Sequence, residues 1–157
     1  MHATAPQLTA PRHTFTQLLP STRQGARLAR LLAVQQLRAW PVSLDVTERA
    51  EQIVAELAAN AALHGRVKSR DFRLVLTLNT TAGLLRIAVT DARGEHLPSA
   101  SAECGTPVDA ESGRGLALVT ALAGRWGVEP YPPCGKTVWA ECACEPSART
   151  CTPDEPA

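Results

Sequence analysis

Phe72, Leu74, Leu76 and Leu78 stand two residues apart, with Arg73, Val75, Thr77 and Asn79 between them. A period of two is that of a strand with one face buried and the other wet. Thr80 to Gly83 then turns the chain into a second strand, Leu84 to Thr90, and the hairpin ends at Asp91. Upstream the pattern is helical. Thr14 to Leu19 forms a first strand closed by Pro20, and Ser21 or Thr22 is placed to cap a helix running to about Trp40, stopped by Pro41. Asp45 with Glu48 resembles a capping box opening a second helix. Val46, Ala50, Ile53, Leu57 and His64 share its broad face, with Asn60 inside that face and Glu56 at its edge, and Gly65 ends it. Residues 92–112 have no period. Gly113-Arg114-Gly115 leads into a short helix from Leu116, ended by Gly124. Trp126 to Glu129 and Thr137 to Cys142 pair around the turn Pro132-Pro133-Cys134-Gly135. Strand, two helices, hairpin, loop, helix, hairpin predicts a two-layer α/β sandwich, with helices on one face of a mixed sheet.

Composition narrows the class without naming a chemistry. The chain of 157 residues is long enough for one domain with a real core, expected over residues 12–145, with tails at 1–11 and 146–157 rich in Pro, Thr, Ala and Ser. A net charge of +1 lacks the concentrated basic surplus of nucleic-acid and membrane-surface binders, so neither partner is expected. The 14 arginines against 2 lysines speak of genome composition more than of function. Residues 1–11 lack the apolar run of a signal peptide, and no segment approaches the ~20 apolar residues that span a bilayer. A cytoplasmic protein is expected. Five cysteines without a Cys-x-x-Cys or a neighbouring His read as reduced thiols rather than a zinc site. On the first helix Arg23, Arg27, Arg30 and Arg38 share one arc while Leu28, Leu31 and Leu32 point elsewhere, which reads as a solvated face opposite a core face.

The candidate chemistry lies in a few polar residues. Glu56 and Asn60 are one helical turn apart and therefore neighbours. Glu56 alone reads equally well as a surface carboxylate. An amide inside an apolar face needs partners and is costly without them, which singles out Asn60. Asp91 at a strand end is either a turn-initiating aspartate or a hydrogen-bond acceptor at a pocket rim, suited to an exocyclic amine. Gly113-x-Gly115 before a helix lets backbone approach an anion at the helix N-terminus, although the same spacing also serves plain turns. It is neither a Walker nor a Rossmann motif. His64 reads as an ordinary helix-end histidine.

Taken together, Glu56-x-x-x-Asn60, Asp91-x-x-Gly94, Gly113-x-Gly115 and Gly135-Lys136-Thr137 resemble, in order and spacing, the motifs of the gyrase/histidine-kinase-like ATPase superfamily and its Bergerat nucleotide-binding fold. The segments from Glu56 to Gly65, Ser112 to Val119 and Gly135 to Trp139 are most similar to the small bacterial anti-sigma-factor serine/threonine kinases. The resemblance covers about residues 14–142. His96 departs from it, standing where the superfamily often has a second glycine.

The resemblance implies ATP and Mg²⁺ as cofactors. Asn60 would coordinate the Mg²⁺ that bridges the phosphates, and Glu56 would be the catalytic base drawing the proton from an attacking hydroxyl. Asp91 and Gly94 would form the adenine end, with Thr137 supporting it through water. Gly113, Gly115 and Leu116 would belong to the lid over the phosphates. The implied function is phosphorylation of a serine or threonine on an anti-sigma antagonist protein, with a sigma factor as a further partner and transcription as the output. A homodimer is also in keeping with the resemblance. The alternative is a non-catalytic module that binds ATP, or only a protein, and sequesters a regulatory partner. A sensor kinase is disfavoured, because about 20 residues precede the first helix.

Overall fold

The computed structural model describes residues 12–64, 71–91, 110–132 and 135–144. Along the chain these form β1 (Arg12–Pro20), α1 (Arg23–Ala39), α2 (Leu44–His64), β2 (Asp71–Asn79), β3 (Leu84–Asp91), α3 (Ala110–Leu122), β4 (Arg125–Tyr131) and β5 (Gly135–Ala143). The expected tails, the segment after α2 and most of the long loop lie outside the described residues.

The five strands lie in the order β1-β2-β3-β5-β4. All four pairings are antiparallel, where a mixed sheet was expected. Connectivity accounts for the difference. Two helices between β1 and β2 return the chain to the end it left, and two hairpins give two more antiparallel pairs. The crossover β3-α3-β4 makes those strands parallel, but β5 inserts between them. The first hairpin turns at Gly83, whose φ of 63° is the left-handed conformation that a side chain disfavours. A Cβ there would also sit 2.7 Å from the Cys144 carbonyl oxygen.

The period-two pattern decides which face is covered. Phe72, Leu74, Leu76 and Leu78 of β2 and Leu85, Ile87 and Val89 of β3 are all buried beneath the helices. α2 lies on this face with Val46, Ala50, Ile53 and Leu57 buried in the same cluster. Each large aliphatic side chain buried in this way contributes about 1.5–3 kcal/mol. α1 packs beside α2 through small residues: its buried stripe is Gly25, Ala29, Ala33 and Leu37. The four arginines of α1 are exposed, as their shared arc implied. Leu28 and Leu31 are exposed as well, at 44% and 56%, because the alanine stripe and not the leucines meets α2. No helix among the described residues is long and apolar enough to cross a membrane.

Local chemistry sets the helix ends. Thr22 caps α1, its hydroxyl accepting from the Gly25 N–H at 3.0 Å. At α2 the capping residue is Ser43 rather than Asp45: Ser43 Oγ accepts from the Val46 N–H at 3.3 Å. Asp45 falls inside the first turn, where a carboxylate suits the helix dipole, and pairs with Arg49 at 3.1 Å. α3 begins at Ala110, six residues before the expected start at Leu116, and so includes Gly113 and Gly115. Two glycines cost roughly 1 kcal/mol each in a helix. That marks a break in a propensity reading, yet it is small enough to be overridden.

Two outcomes follow. A Cβ on Gly25 would lie 1.8 Å from the Pro20 carbonyl oxygen, a backbone atom that cannot step aside. Gly25→Ala is expected to lose about 2 kcal/mol or more in urea unfolding, against no significant change for the exposed neighbour Gln24→Ala. Burial pushes the Cys142 and Cys144 thiols above their ordinary value of 9.0, with the Arg49 charge pulling the other way. A raised folded-state value means that the unfolded chain ionises first. The stability these thiols contribute is therefore complete below that ordinary value and is lost as pH climbs past it. Thermal melts should show this decline, and the double variant Cys142→Ala, Cys144→Ala should show a shallower one.

Candidate functional site

The site is built from the far end of α2 inward. Glu56 and Asn60 are both half-buried, one turn apart, on the flank of α2 that also carries Arg49. α2 packs against β5, and the charge of Arg49 on this flank is felt at the Cys142 and Cys144 thiols at that strand's far end. β5 runs antiparallel to β3, so its Cys142 end lies beside Leu85 and its Lys136 end beside Asp91. Asn60 is about three turns beyond Arg49, some 16 Å of helix. Lys136 is a comparable ~20 Å back along the strand from Cys142. The C-terminal half of α2 therefore comes to the Asp91 end of the sheet, bringing Glu56 and Asn60 to the same end of the molecule as Asp91.

Asp91 is the last residue of β3 and continues the inward-facing series of Leu85, Ile87 and Val89. At 5% exposure it is one of two buried polar side chains among the described residues, the other being Thr47 near the start of α2. A carboxylate on an apolar sheet face is expensive unless it is well partnered, so pattern and packing alone would not put one there. Its sheet neighbours on that face are Phe72 on β2 and Lys136 on β5. β5 starts hard against it: a Cβ on Gly135 would lie 2.6 Å from the Asp91 carbonyl oxygen and 3.0 Å from that of Tyr131. Glycine is what allows this close approach.

Thr137 is not brought to the Asp91 carboxylate. It pairs with Thr90, on the opposite face of the sheet, and the two hydroxyls are 2.8 Å apart. Alternation along a strand forbids adjacent residues from sharing a face, so the β5 residue beside Asp91 is Lys136. Nothing in the residue order marks Lys136, which follows a glycine turn as any surface lysine would; only the register puts it beside Asp91. Gly113, Gly115 and Leu116 all lie in α3, which packs against α2. Leu116 is half-buried. The Trp126 indole N–H donates to Thr120 Oγ1 at 2.7 Å and so ties α3 to β4. Gly94 and His96 lie outside the described residues.

The donor set is one of oxygens. The Asn60 amide carbonyl and the Glu56 carboxylate are hard ligands of the kind Mg²⁺ takes. Among the described residues no group of three or more His, Cys, Asp or Glu comes together to cage a metal. Such residues fit a hydrated ion that arrives with phosphate oxygens, since Mg²⁺ is commonly held by one or two protein groups plus substrate.

Residues 19–141 match the family described as Histidine kinase-like ATPase domain. Among solved structures the chain is similar to the RsbU and RsbW domains of Rv1364c from Mycobacterium tuberculosis, at 19% identity and a TM-score of 0.64. That alignment covers 84% of this chain and 32% of the other, so this chain spans about a third of its length. The SiaB-SiaC complex from Pseudomonas aeruginosa is similar at 12% identity and a TM-score of 0.51, covering 82% of this chain and 88% of that one. Likeness at such identities is a likeness of fold. No curated protein matches the sequence.

The Thr90–Thr137 pair gives a direct check of the register. Thr137→Val should lower stability in urea by about 1 kcal/mol, by removing one partner of a half-buried hydrogen bond. A double-mutant cycle with Thr90→Val should return a coupling of similar size, because the second substitution removes the hydroxyl left without its partner.

Proposed function

This chain belongs to the histidine kinase-like ATPase domain family, and from that premise we propose that it is a Mg²⁺- and ATP-dependent regulatory kinase that phosphorylates a serine or threonine on a partner protein of the anti-sigma antagonist kind. The observation that carries the reading is the joint placement of Glu56 and Asn60 on one flank of α2, at the Asp91 end of the sheet. ATP bound with a divalent ion supplies the transferable phosphoryl group. Everything else is positioning and charge management by the chain, which is most of what phosphoryl transfer asks of a protein.

The roles divide by chemistry. The Asp91 carboxylate accepts from an exocyclic amine and anchors the base. The Asn60 carbonyl serves as a hard ligand to the ion, and Gly113 and Gly115 allow the backbone of α3 close to the phosphates. Glu56, half-buried and one turn from Asn60, takes the proton of the attacking hydroxyl. A general base of this sort is worth roughly 10²–10⁴-fold in rate. The SiaB-SiaC structure is that of a complex, which supports a protein rather than a small molecule as the acceptor here. A sigma factor and a second copy of the chain are further partners in keeping with this reading, as is a cytoplasmic setting.

The roles of Asn60 and Glu56 separate in experiment. Asn60→Ala should weaken Mg²⁺-dependent ATP binding in calorimetry by about tenfold or more. Glu56→Ala should retain binding while phosphate transfer from labelled ATP to the antagonist domain falls about a hundredfold or more. Transfer that is unchanged in Glu56→Ala would sink the kinase reading. ATP binding with no transfer by the wild type would leave a non-catalytic module that sequesters its partner.

A further inference from the structure

Asp91 has two neighbours on its own face of the sheet, and they differ sharply. Phe72 is wholly buried and apolar. Lys136 is exposed at the rim, and its ammonium makes no hydrogen bond or ion pair with any other described residue. Directly opposed residues of an antiparallel pair hold their Cβ atoms about 5 Å apart. A lysine's flexible four-carbon stem and three donors then bring a cation to whatever the carboxylate holds. The root of this side chain is fixed, because Gly135 seats the start of β5 against the Asp91 backbone. The hydroxyl of Thr137 is turned to the other face and engaged with Thr90.

We propose that Lys136 is a nucleobase-recognising residue of the ATP pocket: the Asp91 carboxylate accepts from the adenine N6 amine, and the Lys136 ammonium donates to the adjacent ring nitrogen N1. The proposal rests on the ATPase reading above and names the residue that sets its base specificity. Adenine presents a donor, the amine, beside an acceptor, N1. Hypoxanthine presents the reverse: a carbonyl oxygen where adenine has the amine, and an N–H at position 1. An acceptor-only carboxylate beside a donor-only ammonium matches the first order and opposes the second at both positions. A buried polar site discriminates most strongly when the wrong ligand leaves its groups unpaired. A hydroxyl in place of Lys136 would donate or accept as required and would discriminate less.

The test is calorimetric titration of the full chain with MgATP and MgITP, in wild type, Lys136→Met and Lys136→Arg. Lys136 is exposed, so both variants should fold, and unchanged thermal melts verify this. The expected result is ATP affinity about tenfold lower in Lys136→Met, the scale of one charge-assisted hydrogen bond. ITP affinity should be unchanged or higher, so that the ATP-to-ITP preference falls at least tenfold, and Lys136→Arg should restore most of it. Equal weakening of both nucleotides would assign Lys136 to the phosphates and overturn the proposal. So would wild-type affinities in Lys136→Met, or a loss of base preference in Thr137→Val but not at Lys136. Failure of the wild type to bind ATP at all is a different result: it overturns the ATPase reading, and this proposal with it.

Discussion

The packing of α2 across the sheet is the contact on which the rest of this molecule depends. Its apolar arc, Val46, Ala50, Ile53 and Leu57, closes over the inner faces of β2, β3 and β5, while Val54 and Ala58 are buried on the side toward α1. The helix is covered by the sheet below and by α1 and α3 beside it. Small residues make this possible: Ala29 and Ala33 on α1 let two long helices lie close together. Ion pairs contribute little by comparison. Arg30 and Glu51 join α1 to α2 at 2.8 Å, but the arginine is half in solvent and such pairs are worth about 0–1 kcal/mol.

The same packing puts chemistry at one end of the domain. Toward its start the α2 flank bears Arg49, whose charge is felt at two buried thiols; toward its end it bears Glu56 and Asn60, at the end of the sheet that holds a buried aspartate. The flank is tolerated as polar because it borders the core without entering it. Asp91 is the exception. It continues an inward series that every other packing consideration would fill with an aliphatic side chain, and a local rule broken at a buried position is where function is to be sought. Lys136 beside it is the natural consequence of register, one strand over.

The outer face of the sheet follows a different logic. Arg86 lies 4.4 Å above the Trp139 ring and pairs with both Glu141 and Glu129, and Arg125 approaches the same ring at 5.7 Å. Gly127 leaves room for the indole: a Cβ there would lie 2.7 Å from it. Arginines laid over an aromatic and braced by carboxylates keep this face polar while holding β4, an edge strand, flush with β5. Each cation–π contact at such a site adds about 0.5–1 kcal/mol.

Much of this was legible from residue order. The period of two at Phe72–Leu78 fixed a half-buried strand, because successive Cβ atoms must point to opposite faces. Ser21 and Thr22 marked the place of a cap, and Glu56 and Asn60 were bound to be neighbours on any helix. Those are properties of a chain a few residues long. The all-antiparallel sheet, the burial of Ala29 and Ala33 in place of Leu28 and Leu31, and the run of α3 through Gly113 and Gly115 were not legible, since each is settled by what packs alongside. Thr137 is the clearest case. The resemblance had it supporting the adenine end through water, and the pairing of β3 with β5 turns its side chain to the face away from the Asp91 carboxylate and sets Lys136 across from Asp91. Register is a relation between two strands distant in the chain, and a shift of one residue exchanges the faces of the sheet. Residue order settles most of the elements and the chemistry they carry; which side chains share a face follows from how those elements pair.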